Sequence, residues 1–150
     1  MKNDIYYMNL ALNEAKKAYM KGEIPIGAVI VKENVVIAKA HNLRQTKKTT
    51  LGHAEIIAIE KACKKLDSWI LEGCTIYVTV EPCIMCAGAI LQSRITRVVY
   101  GTNEPKFGAL GSVLDISKVE GFNHKMEITS GILKDECSLI MKEFFKSLRK

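Results

Sequence analysis

Two short patterns, His53-Ala54-Glu55 and Pro82-Cys83-Ile84-Met85-Cys86, constrain this chain more than any other feature. Each falls where a loop or strand gives way to a helix. Ala54, Ile57, Ala58 and Ala62 recur at helical spacing and define a helix over Ala54 to Leu66. Pro82 suits the opening of a second helix, which runs through Cys83 to about Gln92. Either pattern alone is weak. Together, each at a helix entrance, they point to one shared site.

The residue types say what that site can do. Cys83 and Cys86 are three apart, so on a helix they lie about 60° apart around the axis and face the same way. At a helix N-terminus the free N–H groups and the dipole favour thiolate, the form that binds metal. A catalytic zinc ion takes three protein ligands and keeps one position for water. His53 would complete such a set, and Glu55 would serve as general acid and base. Residues two positions apart in a regular helix are separated by about 200° around the axis. His53 and Glu55 therefore converge only if His53 leaves helical geometry, and Gly52 permits that bend. Two other readings stay open. A structural zinc site would need a fourth ligand, such as His41, His124 or another cysteine. A redox Cys-x-x-Cys would not need His53 or Glu55. Cys63, Cys74 and Cys137 read as packed small residues, with Cys137 on the apolar stripe of the last helix.

The remaining chain reads as one domain over residues 1–150, without repeats or long linkers. A first helix carries Ile5, Met8, Leu12, Ala15 and Tyr19, with Asp4 as its cap and Gly22 at its end. Ile26–Val31 and Val35–Ala40 form a hairpin turning at Glu33-Asn34. His41–Leu51 is a polar loop, Thr75–Val80 and Arg97–Tyr100 are strands, and a loop runs from Thr102 to Ser112. Lys125–Thr129 is a weaker strand, and Lys134–Leu148 a helix with Cys137, Ile140, Met141, Phe144 and Leu148 on its apolar side. Strands separated by helices imply parallel neighbours, and the hairpin makes the sheet mixed. The expected fold is α/β: a three-layer α/β/α sandwich around a central mixed five-stranded sheet.

Composition bounds the partners. Lys and Arg number 22 against 16 Asp and Glu, a net charge of +6 that suits a phosphate-bearing partner without requiring one. Five cysteines, an odd number, argue against a disulfide framework. With no signal peptide and no apolar stretch near membrane-spanning length, the expectation is a cytoplasmic protein without a membrane partner.

The two patterns resemble the signature of the zinc-dependent nucleobase deaminases, His-x-Glu followed by Pro-Cys-x-x-Cys. Further segments extend the likeness over nearly the whole chain. Ile24–Val29, His41-Asn42, Glu81–Ala89, Gly108–Ser112, Phe122-Asn123-His124, Asp135-Glu136-Cys137 and Phe144-Phe145 with Arg149 all resemble the bacterial tRNA-specific adenosine deaminases, within the cytidine/deoxycytidylate deaminase superfamily. The resemblance implies a cytidine deaminase-like fold. It implies one Zn²⁺ per subunit on His53, Cys83 and Cys86, and a homodimer. It also implies hydrolysis of adenosine to inosine at the wobble position of a tRNA anticodon stem-loop, with Glu55 shuttling protons for a zinc-activated water. Asn42 would hydrogen-bond the base, Ile26 would form an apolar wall and the Ala54 backbone would lie beside the metal. Arg44, Asn103, Lys106, Asn123, Phe145 and Arg149 would meet the RNA. The chain departs from the family at Thr49-Thr50-Leu51-Gly52, where Asp-Pro-Thr-Ala is usual, and at Glu104, often Asp. A deaminase of free guanine, cytosine or a nucleoside, and a non-catalytic zinc-stabilised RNA-binding module, are the alternatives.

Overall fold

The computed structural model describes residues 2–149. Its elements in chain order are α1 (Asp4–Met20), β1 (Gly27–Lys32), β2 (Val35–His41), α2 (Arg44–Lys47), α3 (Ala54–Leu66), β3 (Cys74–Val80), α4 (Ile84–Gln92), β4 (Arg97–Thr102), a 3-10 turn at Ile116–Lys118, β5 (Glu127–Ser130) and α5 (Lys134–Ser147). The five strands form one mixed sheet in the order β2-β1-β3-β4-β5.

Strand alternation builds the layers. Ala28, Ile30, Ile76, Val78 and Val98 face α3 and α4, where they meet Ile57, Ala58, Ala62 and Ile90. Val29, Val31, Tyr77 and Val99 point the other way, onto Tyr7, Met8, Ala11 and Leu12 of α1 and Cys137 of α5. A sheet covered on both faces needs apolar residues on both, which explains the near-continuous apolar run of β1. At Gly27 the strand meets α1 so closely that a Cβ would stand 2.6 Å from the Ala15 nitrogen. The hairpin turns through Glu33 and Asn34, both at positive φ (50° and 63°), as a two-residue primed turn requires.

Several local expectations change. The helical crossover β2–α3–β3 does not join neighbours: β1 lies between the two strands and pairs antiparallel with each. Only β3–β4 and β4–β5 are parallel, and β4 reaches β5 without an intervening α-helix. Asn3, not Asp4, caps α1, accepting from the Tyr6 amide at 3.0 Å. Asp4 is taken instead by Arg97, whose Nη1 and Nη2 donate to its two oxygens at 2.9 and 2.7 Å, and by the Tyr77 hydroxyl at 2.7 Å. The stretch expected as an unbroken polar loop contains the short helix α2. Leu148 is 64% exposed, so the buried stripe of α5 ends at Phe144. Among the described residues no helix is long and apolar enough to cross a membrane.

Candidate functional site

The site gathers at the carboxyl end of β3, where α3 and α4 begin. His53 and Cys83 occupy equivalent places. Each is the N-cap of its helix in extended backbone (φ −79°, ψ 148° and φ −72°, ψ 175°), and neither spends its side chain on capping. Cys83 thus precedes α4 rather than lying within it, and Cys86 stands in the first turn. The extended conformation at His53 lets its ring turn toward the cysteines while Glu55 enters from the first turn of α3.

His53 Nδ1 lies 3.5 Å from Cys86 Sγ and 3.7 Å from Cys83 Sγ. All three ligand atoms fall within 4.8 Å of one another. Zinc–sulfur and zinc–nitrogen bonds of about 2.3 and 2.0–2.1 Å at a tetrahedral angle put sulfur and nitrogen about 3.6 Å apart. Both nitrogen–sulfur distances therefore match those of a set that could hold zinc. Among the described residues no fourth His, Cys, Asp or Glu joins the group. His41 is engaged elsewhere, with Nδ1 on Glu14 at 3.0 Å and Nε2 accepting from Lys21 at 2.9 Å, and His124 Nε2 contacts the Ile95 carbonyl at 2.7 Å.

Electrostatics suit the same chemistry. The Cys83 thiol is pulled down to about 4, first by the Cys86 thiol that bonds to it and also by His53, against the opposing effect of burial. Cys86 is pushed strongly upward by that same bond to Cys83 and by burial. One thiolate and one thiol that must release its proton form a donor set whose metal affinity rises with pH. His53 is raised, first by its bond to Cys83. The Glu55 carboxyl, only 4% exposed, is pushed to about 7, chiefly by burial. That range lets a carboxyl both take and give a proton near neutrality.

Two buried acids outside the expected set fix the surrounding loops. Glu81 is 2% exposed and directly follows β3, two residues before Cys83. It accepts from the amides of Glu104, Leu110 and Ser112 at 3.0–3.1 Å and from the Ser112 hydroxyl. Gly108 pairs with Cys83 in an isolated bridge, which ties this loop to the metal-site turn. Glu23, 1% exposed, accepts from the Gln45 and Thr46 amides at 3.1 and 2.6 Å. These are first-turn donors of α2, whose own N-cap, Leu43, offers no side-chain acceptor. Gly52 presses on Arg44, where a Cβ would stand 2.9 Å from the Arg44 Cα. The sequence shows each acid beside an apolar strand but not that it turns inward; once buried, a carboxylate must find donors.

Two cavities flank α5 and share Phe145. One of about 430 Å³ is lined by Asn103, Glu104, Lys106, Lys142, Phe145 and Arg149 among others. The other, about 350 Å³, has Glu23, Asn42, Arg44, Phe144, Phe145 and Leu148 in its lining. Six expected contact residues therefore surround these spaces. Phe145 is 39% exposed while Phe144 is buried. Asn42 is buried, its amide donating to the Ile24 carbonyl at 3.3 Å and its oxygen accepting from Arg44 N at 3.2 Å. Ile26 is half-buried against the core, and Ala54 is fully buried beside His53. Asn123 is exposed and lines neither cavity.

The MafB19-like deaminase family model matches residues 2–149. A tRNA-specific adenosine deaminase of Bacillus subtilis is 50% identical over 150 residues, covering all of this chain and 93% of its own. One from Aquifex aeolicus is 45% identical over 144 residues, covering 96% and 95%. A solved structure from studies of A-to-I editing by tRNA:A34 deaminases at the wobble position superposes with a TM-score of 0.87. It is 40% identical and covers 90% of this chain and 98% of its own.

Proposed function

This chain belongs to the MafB19-like deaminase family, and from that premise we propose that it deaminates adenosine to inosine at the wobble position of tRNA. The carrying observation is the His53–Cys83–Cys86 cluster with the buried Glu55 carboxyl beside it. His53, Cys83 and Cys86 would hold zinc. An ion bound there would supply the Lewis acidity that makes water nucleophilic near neutral pH.

Glu55 does the proton work. It takes a proton from the water that adds to C6 of adenine and delivers it to N1. It then carries the remaining proton of the new C6 hydroxyl to the amino group, the C6–N bond breaks, the C6 carbonyl forms, and ammonia leaves inosine behind. Asn42, buried and bonded to the Ile24 carbonyl and the Arg44 amide, would orient the base. Ile26 and Ala54 would bound the base on its apolar side. Arg44, Lys106 and Arg149 would take phosphates, while Asn103, Asn123 and Phe145 would meet sugar and bases.

The proposal includes one zinc ion per subunit and a homodimer, for which the exposed Ile84 of α4 and Leu51 offer apolar surface. Thiolate ligands suit a reducing cytoplasm. Inosine formation on an anticodon stem-loop, compared with ammonia release from free adenine, guanine, cytosine and their nucleosides, tests the substrate class. Turnover of free bases alone would overturn the tRNA reading. Sedimentation of the purified protein tests the dimer, and a monomer at assay concentration would remove it.

A further inference from the structure

We infer that Phe107 is a stacking platform for a nucleotide next to the reacting adenosine, a contact resting on the function proposed above. Phe107 is 70% exposed, the most exposed of the four phenylalanines. Its place makes the exposure informative. Lys106, just before it, lines the 430 Å³ cavity, and Gly108, just after it, pairs with the backbone of Cys83. Phe107 is therefore bracketed in sequence by a residue that lines this cavity and one that is tied to the metal-site turn. Its side chain lies outside the lining of that cavity, which holds none of His53, Glu55, Cys83 and Cys86, so a base stacked on it is a neighbour of the one that reacts.

The loop presents this ring on a fixed backbone. Glu81 holds the amides of Glu104, Leu110 and Ser112, Gly108 N donates to the Glu104 carbonyl at 2.9 Å, and Ala109 N donates to the Pro82 carbonyl at 3.0 Å. A held aromatic loses little freedom when it engages a ligand. The charge nearby selects the ligand class. Lys106, Lys142 and Arg149 line the adjoining cavity against the single acid Glu104. Cations beside an exposed aromatic are the combination that binds single-stranded nucleic acid, through phosphates and base faces together. An apolar protein partner would find those cations unpaired.

Inosine formation is measured on an anticodon stem-loop with wild type, Phe107→Ala, Phe107→Tyr and Phe107→Leu. The expected result is a KM raised about tenfold by Phe107→Ala with kcat within about twofold, the size of one base–aromatic stack. Phe107→Tyr restores KM and Phe107→Leu does not. Stem-loops carrying an abasic nucleotide at each position flanking the target give the second reading. At one position wild type weakens by about the same factor and Phe107→Ala loses nothing more. Phe107→Leu matching wild type, or no abasic position that closes the gap, would overturn the stack. A smaller sedimenting species for Phe107→Ala would assign the ring to contact between two copies instead. If wild type itself forms no inosine, the proposed function fails separately, and stem-loop binding by fluorescence anisotropy still decides Phe107 by the same variants.

Discussion

The Glu81 carboxylate lies against the Cα of Gly108, where a Cβ would stand 2.5 Å from both carboxylate oxygens. This contact joins the strand leading to Cys83 to the loop bearing Asn103, Lys106 and Phe107. Gly108→Ala must push the carboxylate off its amide donors. Overpacking of this kind costs about 1–3 kcal/mol. Urea unfolding should show that loss, and stem-loop kinetics should show KM rising more than kcat falls. Unaltered stability and KM would mean the loop does not depend on this contact.

Glu81→Ala should be the more damaging change. It leaves the Leu110 amide and its neighbours without an acceptor, at roughly 1–3 kcal/mol for each buried unpaired group. Denaturation midpoints compared with Glu81→Gln, which keeps one acceptor oxygen, measure how much of the clamp is hydrogen bonding.

Glu55→Gln keeps shape and removes the proton carrier. Deamination should fall about 10²–10⁴-fold while zinc content and stem-loop affinity stay near wild type. Elemental analysis and anisotropy check the two controls, and near-normal turnover would take Glu55 out of the proton path.

Cys83→Ala removes one of three donors. Zinc should be lost on dialysis, and the melting temperature should drop where folding is coupled to metal. Active, zinc-free Cys83→Ala protein would contradict the assigned tripod.

Acid should destabilise this fold through Asp4, Glu23 and Glu81. Arg97 beside Asp4 is the leading influence holding that carboxyl below its usual value, and the Tyr77 hydroxyl adds to it. At Glu23 and Glu81 burial alone would raise the carboxyls, but the combined donors of Thr46 and Gln45, and of Ser112, Glu104 and Leu110, outweigh it and lower both. A carboxyl whose native pKa is depressed adds stability above its unfolded value, and that stability is lost as pH falls through the native one. Urea midpoints should therefore be flat in these groups above about pH 5 and decline below about pH 4. Glu23→Gln should flatten the decline.

Much of this architecture is visible in the residue order. Apolar spacing marks α1, α3 and α5, β-branched runs mark β3 and β4, and Glu33-Asn34 marks the hairpin turn. The need for His53 to leave helical geometry follows from a 200° separation alone, and the backbone there is extended. Strand neighbours were less accessible, because a period-2 pattern says which faces are buried and not which strand lies alongside. Asp4 illustrates the limit at one residue. Local rules make it a cap, but Arg97 lies 93 positions away in sequence and claims it.

By itself the sequence determined the donor types, their spacing at two helix entrances and the basic balance, because ligand chemistry and helical geometry are local properties. Only the tertiary structure decided that His53 stands 3.5 Å from Cys86, that β1 inserts between β2 and β3, and that Glu23 and Glu81 turn inward to hold the loops. Those outcomes depend on which distant groups share a buried space. There an unpaired carboxylate or amide costs enough to dictate its partner.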